Sequence, residues 1–79
     1  MRITLSILIA ERINQLRKSR KLSVNKLATM SGLSYSTLNS ILRCKSKSPT
    51  LGTLIRIASA LNMTILELLN VPEIVNFSY

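Results

Sequence analysis

The chain has no histidine and no aspartate, and it contains only one cysteine and three acidic residues. General acid–base pairs, activated nucleophiles and zinc sites need residue types or combinations that this inventory lacks. We therefore predict that the chain is not an enzyme and that it uses no metal and no cofactor. The single cysteine, Cys44, excludes an internal disulfide and is typical of a reducing compartment, which favours a cytoplasmic location.

Long hydrophobic runs are also absent. No apolar segment approaches the ~20 residues of a membrane-spanning helix, and the apolar opening MRITLSILIA runs directly into Glu11 and Arg12 without a cleavage pattern. Glycine and proline occur only twice each, which excludes a low-complexity chain, and a hydrophobic fraction of 47% is ample for a packed core. We expect residues 1–79 to form a single domain that has no membrane partner.

The charge is unbalanced in amount and in position. Eleven Lys and Arg against three Glu give a net charge of +8, and ten of these bases lie within residues 1–50 together with a single acid. This distribution predicts a face that binds a polyanion in the first part of the chain and a separate apolar surface for packing or assembly. A basic surface that is merely solvated is the alternative.

Helix caps and apolar spacing predict five helices, and we find no internal repeat. In the fourth helix, Leu51, Leu54, Ala58 and Leu61 form one apolar stripe. The end pieces of the chain are predicted to be short extended segments or disordered tails, with Ile3, Leu5, Ile74, Val75 and Phe77. The predicted helices are a first from about Ser6 to Ser19, a second capped by Ser23 and ending near Met30, a third from Ser34 to about Arg43, a fourth that starts at Thr50, and a fifth with a capping box of Thr64 and Glu67 that ends near Asn70.

The second and third predicted helices have the spacing of a helix-turn-helix. This motif needs a small residue where its helices approach, a residue that tolerates positive φ in the turn, and apolar anchors on the inner side of the second helix. Counted from Val24, Ala28 stands at the fifth place, Gly32 at the ninth, Leu38 at the fifteenth and Ile41 at the eighteenth. Residues 24–41 therefore meet all of these requirements.

With these residues the chain resembles the lambda-repressor-like (phage repressor and Cro, XRE-type) helix-turn-helix family over about residues 8–70. The matching stretches are IAERINQLRKSRKLS, then LA and SGLS, and, after Pro49, TLGTLIRIASALNMTILELL. The resemblance implies an all-α, compact five-helix domain that binds operator DNA as a dimer, with the third helix in the major groove. Residues 71–79 would be a C-terminal tail that contributes to the dimer contact.

The resemblance also implies which side chains meet DNA. Neutral donors and acceptors on the third helix would distinguish base pairs, although a merely solvent-exposed helix face is the alternative. The predicted base-reading residues are Tyr35, Ser36, Thr37, Asn39 and Ser40. The predicted phosphate contacts, which include the N-terminus of the second helix, are Arg17, Ser23, Asn25, Lys26, Arg43, Lys45 and Lys47. Solvation and DNA contact are equal alternatives for Arg12, Lys18, Arg20 and Lys21.

The chain departs from the family pattern at three positions. Val24 stands where the family often has Gln, and Leu42 stands where many relatives have a Glu that pairs with the Arg matched by Arg17. Without that partner, Arg17 is expected to be freer to reach a phosphate. Cys44 replaces the usual Gly after the third helix, so either it keeps a left-handed backbone at a cost of about 1–2 kcal/mol or the loop takes another path. We expect its thiol to be structural and not redox-active.

The end of the chain has more apolar residues than a small core can cover, which predicts a homodimer through the fifth helix and the C-terminal segment. The alternative is that several of these residues cover the fourth helix or fray. The predicted interface is Ile65, Leu66, Leu69, Val71, Ile74, Val75 and Phe77.

Together these features predict a sequence-specific transcriptional regulator, a repressor that binds a palindromic operator and has no small-molecule ligand. The main rival is a protein-interaction module of the same fold, an antitoxin or adaptor, in which DNA binding is secondary. A basic RNA-binding or membrane-surface protein is a weaker rival, since RNA modules offer exposed aromatic side chains and only Tyr35 is placed for that role.

Overall fold

Polar residues cap the first five helices of the computed structural model, which describes residues 4–45 and 49–78. Thr4, Ser23, Ser34, Thr50 and Thr64 each accept a hydrogen bond from the backbone N–H three residues further on. Within these described ranges, no helix is both long and apolar enough to span a membrane. The helices are α1 (Leu5–Ser19), α2 (Val24–Ser31), α3 (Tyr35–Leu42), α4 (Leu51–Ala60), α5 (Ile65–Leu69) and α6 (Pro72–Val75).

The five predicted helices are confirmed, and a sixth short helix follows them. The prediction of an extended or disordered segment is wrong for Ile74 and Val75, which belong to this helix. Pro72 occupies its first position, where the missing N–H costs nothing. The same prediction is also wrong for Leu5, since Thr4 caps α1 one residue earlier than expected. Ile3 lies outside the described residues.

The predicted capping box of α5 is confirmed. Thr64 Oγ1 accepts from the Glu67 backbone N–H at 3.1 Å, and Glu67 Oε1 accepts from the Thr64 backbone N–H at 2.9 Å. The hydrogen bond from the Thr64 backbone, followed by that from its side chain, holds the pKa of Glu67 below its ordinary value. The pair therefore stabilises the helix above the ordinary range of a carboxyl pKa and loses its effect as the pH falls through the lowered value.

The core combines one apolar face from each of the first five helices. α1 packs on α3 and α5, α2 packs on α3 and α4, and α4 packs on α5. Leu51 is an exception to the predicted stripe of α4, because it is the first residue of the helix and is 63% exposed. The largest fully buried side chains are Ile13, Leu27, Leu38, Ile57, Leu61 and Leu68.

Four helices, α1 to α4, end in a common geometry. In each, one residue adopts a left-handed backbone, and the next residue donates its N–H to the carbonyl five positions earlier at 2.9–3.0 Å, which satisfies a carbonyl of the last turn. The left-handed residues are Lys21, Gly32, Cys44 and Asn62, with φ between 56° and 71°.

Cys44 therefore keeps the left-handed backbone, with φ of 56°. Of the two alternatives, Cys44 shows the first, the left-handed backbone at a cost of about 1–2 kcal/mol. The half-buried thiol donates to the Ser6 carbonyl oxygen of α1 at 3.6 Å. This contact gives Cys44 a structural role at the junction of α1 and α3.

Gly32→Ala is expected to lower the free energy of unfolding by about 1 kcal/mol, because an L-residue resists the left-handed backbone. A steric clash does not contribute to this loss, since an added Cβ would lie 3.6 Å from Arg56 Nη1, an ordinary van der Waals distance. Gly52→Ala is the matched control: it lies in α4, has open space at 3.9 Å from Thr50 Oγ1 and should stabilise by about 0.5 kcal/mol. Urea unfolding measures both, and shifts of the same sign would contradict this account.

Candidate nucleic-acid interface

The outer side of α3 is polar and accessible, while its inner side is fixed in the core. Leu38 is fully buried and Ile41 is 7% exposed, so both anchors of the helix lie where the motif requires them. The predicted base-reading residues are all on this one helix, three exposed and two half-buried: Tyr35, Ser36 and Thr37, then Asn39 and Ser40.

Thr37 differs from the other four because its hydroxyl belongs to the helix cap. Ser34 Oγ accepts from the Thr37 backbone N–H at 3.1 Å and donates to Thr37 Oγ1 at 2.8 Å. The N-cap therefore occupies part of the hydrogen-bonding capacity of Thr37, whereas its methyl group is suited to a thymine methyl. The side chains of Tyr35, Ser36 and Ser40 form no hydrogen bond with any described residue.

The N-terminus of α2 presents a second polar surface. Ser23 Oγ accepts from the Lys26 backbone N–H at 3.0 Å, so this hydroxyl acts as a cap. Asn25 and Lys26 are exposed beside it. Since the first turn of a helix has N–H groups without intrahelical partners, this end suits a phosphate oxygen.

Arg17 is not free, contrary to the expectation from its missing Glu partner. Its Nε and Nη2 donate to Asn14 Oδ1 at 3.2 and 3.0 Å, and its Nη1 donates to the Leu22 carbonyl oxygen at 2.8 Å. The guanidinium thus ties α1 to the loop before α2. A guanidinium has five N–H donors, and these three hydrogen bonds leave some of them without a partner among the atoms named. A contact between Arg17 and a phosphate therefore stays a prediction.

The bases that follow α3 are accessible. Arg43 caps its C-terminus and Lys45 comes two residues later, and both are exposed. Lys47 lies outside the described residues. Lys18, Arg20 and Lys21 are exposed at the end of α1, which agrees with solvation and with DNA contact alike.

Comparison with known proteins identifies this arrangement. Residues 12–73 match the model of the Cro/C1-type HTH DNA-binding domain. The chain belongs to this family. No curated protein matches the chain.

Solved structures of other regulators share the fold of this Cro/C1-type domain. It is 39% identical to an HTH_3 family transcriptional regulator from Vibrio cholerae, with a TM-score of 0.75 over 81% of this chain, and it spans 35% of that protein's length. It is 32% identical to SinR, a master regulator for biofilm formation, with a TM-score of 0.71 over 78% of this chain. SinR was solved in complex with SinI and in complex with DNA, where this chain spans 60% and 98% of the matched chains.

Arg12 has a role in this Cro/C1-type domain that the sequence did not reveal. Its Nε donates to the Leu68 carbonyl oxygen at 2.9 Å and its Nη2 donates to the Glu67 carbonyl oxygen at 3.1 Å. This cation lies at the C-terminus of α5, where the last carbonyls lack helical partners and where, among the described residues, the Glu67 carbonyl otherwise accepts only from the Asn70 N–H of the cap, at 3.3 Å. The partners are 55 and 56 positions apart in sequence, so no local pattern indicates the contact.

The apolar residues predicted for a dimer contact divide into two groups in this Cro/C1-type domain. Leu66 and Val75 are 79% and 63% exposed, and together with Leu69 they line one depression. Ile65, Leu69 and Ile74 pack partly against the core. Ile55 of α4, 47% exposed, adds apolar surface that the prediction missed. The half-buried residues of the predicted set are Ile65, Leu69, Val71, Ile74 and Phe77.

Proposed function

We propose that this chain is a sequence-specific transcriptional repressor that binds a palindromic operator as a homodimer, with α3 in the major groove. The observation that carries the proposal is the two-sided character of α3. Its inner side is fixed by Leu38 and Ile41, while Tyr35, Ser36 and Thr37 stand exposed on a helix that has no charged side chain. Neutral donors and acceptors of this kind suit base edges in a groove.

The charge around α3 supports the same proposal. Exposed Lys26 precedes the turn of the motif, and exposed Arg43 and Lys45 follow α3, so bases flank it in sequence on both sides. Phosphate contacts by such bases fix the register of a protein on the duplex, whereas base edges supply specificity. A repressor of this design acts by occupying its site and so blocking polymerase.

Dimerisation is proposed through Leu66 and Val75, the most exposed apolar side chains of the predicted interface. Their half-buried neighbours on α5 and α6 would complete the patch. A two-fold dimer would place two copies of α3 about 34 Å apart, one turn of DNA. Sedimentation showing a monomer at micromolar concentration, with and without DNA, would contradict it.

We further propose that residues 1–79 act as one cytoplasmic domain, with 8–70 as the DNA-binding part and 71–79 near the dimer contact.

Selection of bound duplexes from a random DNA pool at near-physiological salt tests the proposal. We expect an enriched palindrome whose half-sites are about ten base pairs apart, centre to centre. Enrichment of a single half-site would support base reading by α3 and would contradict the proposed homodimer. Binding that is salt-sensitive but enriches no sequence would contradict the regulator proposal.

Ser36→Ala and Lys45→Ala separate specificity from general affinity. Ser36→Ala should lose about 1–3 kcal/mol of discrimination at one base pair of each half-site, because a base-edge hydrogen bond is removed. Lys45→Ala should weaken operator and random DNA equally, since a phosphate contact carries no sequence information. Competition binding with single-base operator variants measures both, and a uniform loss from both substitutions would reject base reading by α3.

A protein-interaction role is the second candidate, and one observation favours it. SinR, which shares the fold at 32% identity, was solved in complex with the protein SinI. In this alternative the basic face holds DNA with low specificity while an exposed apolar surface binds a partner. A partner protein that co-purifies stoichiometrically under native conditions, together with no enriched operator, would favour it over the repressor.

A further inference from the structure

A groove between α1 and α6 combines an apolar floor with carboxylates on both sides. It has a volume of about 390 Å³. Leu8 of α1 and Val71 and Ile74 beside or within α6 supply apolar surface, and Glu11 and Glu73 face it from the two helices. Both glutamates are exposed, and neither carboxylate pairs with another described residue.

The charge of this groove contrasts with the rest of the chain. Two of the three acids of a chain with net charge +8 lie at this one place. Arg12 also lines the groove, but its guanidinium donates to the carbonyl oxygens of Glu67 and Leu68. No described residue pairs with either glutamate, so an incoming cation meets a lining whose net formal charge is −1 with Arg12 included.

We propose that this groove docks a short segment of a partner protein that carries aliphatic side chains next to Lys or Arg. The aliphatic groups would cover Leu8 and Val71, and the cations would pair with Glu11 and Glu73. The net positive charge repels such a segment at long range, but salt screens charges beyond about 8 Å under physiological conditions, so contacts within the groove dominate. Charge complementarity thus selects a cationic segment over an acidic or neutral one.

The groove is separate from the proposed DNA-binding surface. All of its lining residues come from α1, from α6 and from the residue before α6, and none belongs to α2 or α3. A partner in this groove would therefore leave the helix-turn-helix accessible. Val71 and Ile74 belong both to this groove and to the predicted dimer interface, so a partner bound here would compete with the homodimer. The docking proposal does not depend on DNA binding, and it is tested by its own experiment.

Selection of peptides from a random twelve-residue display library, with the full chain as bait, tests the proposal. We expect enriched peptides that share Lys or Arg beside aliphatic residues. A synthetic copy of the most enriched peptide should bind Glu73→Gln about threefold more weakly and Glu11→Gln/Glu73→Gln about tenfold more weakly, as exposed ion pairs contribute modestly. Leu8→Ala should also weaken it, because Leu8 is half-buried and would lose contact with the aliphatic group.

The matched control is Ser59→Lys, which raises the net charge as much as Glu73→Gln does but at an exposed position of α4 outside the groove. It should leave peptide affinity unchanged. The proposal is overturned if the enriched peptides are acidic or uncharged, if no peptide is enriched, or if the double variant binds the peptide as well as the original chain does. If the double variant loses self-association in the absence of peptide, the groove binds a second copy of this chain. That outcome would also overturn the docking proposal.

Discussion

Raising monovalent salt from 50 to 200 mM is expected to weaken binding to the selected operator by about 10³- to 10⁵-fold. Each phosphate that a Lys or Arg neutralises releases condensed counterions, and a protein with about 6–10 such contacts loses affinity by this amount. Two protomers that each use most of the predicted cationic set would reach that number. The cations are Arg17, Lys26, Arg43, Lys45 and Lys47.

The slope of log affinity against log salt measures this effect by titration of one labelled duplex. Lys26→Ala should reduce the slope by about 0.9 for each protomer, because one phosphate contact is lost. Glu73→Gln changes the net charge by one unit on α6 and should leave the slope unchanged. A shallow slope for the operator, equal in the original chain and in Lys26→Ala, would show that these bases are only solvated.

Leu38→Ala is expected to lower the free energy of unfolding by about 2–5 kcal/mol, which is the cost of an unfilled cavity in a packed core. Leu38 is completely buried and lies on the inner side of α3. Small domains have only about 0.05–0.15 kcal/mol of stability per residue, so this one truncation removes a large share of the total. DNA binding should fall with the folded fraction as the temperature rises.

Leu51→Ala provides the same chemical truncation at a position that is 63% exposed. It should change the free energy of unfolding by no more than about 0.5 kcal/mol. Urea unfolding at a fixed protein concentration compares the two variants. Equal losses would contradict the assignment of Leu38 to the core and of Leu51 to the surface.

The sequence predicted those features that depend on neighbouring residues. Ser23, Ser34 and Thr64 cap their helices where expected, and the Thr64–Glu67 box forms because both partners lie within one turn. Gly32 ends α2 in the predicted left-handed conformation. In each case the responsible atoms lie within a few positions of one another, so a local pattern is sufficient.

Features that depend on distant or competing partners were not predicted. Arg17 was expected to be free because the usual acidic partner is absent. Its guanidinium instead donates hydrogen bonds to Asn14 and to the Leu22 carbonyl oxygen. Thr37 was predicted to read bases, and the sequence did not show that Ser34 donates a hydrogen bond to its hydroxyl. A list of residue types shows what each side chain is able to bind, but only the folded arrangement shows which groups have already found partners.

The contact of Arg12 with the end of α5 has a consequence for the order in which parts of the molecule open. A helix of five residues is too short to persist alone in water. Its closure onto α1 joins residues 55 positions apart in the chain, and Arg12 and the buried Leu68 favour that closure together with the packing of α5 on α4. The amides of α5 should therefore exchange with solvent only in openings that also expose α1, which makes the last part of the core a single cooperative unit with the first.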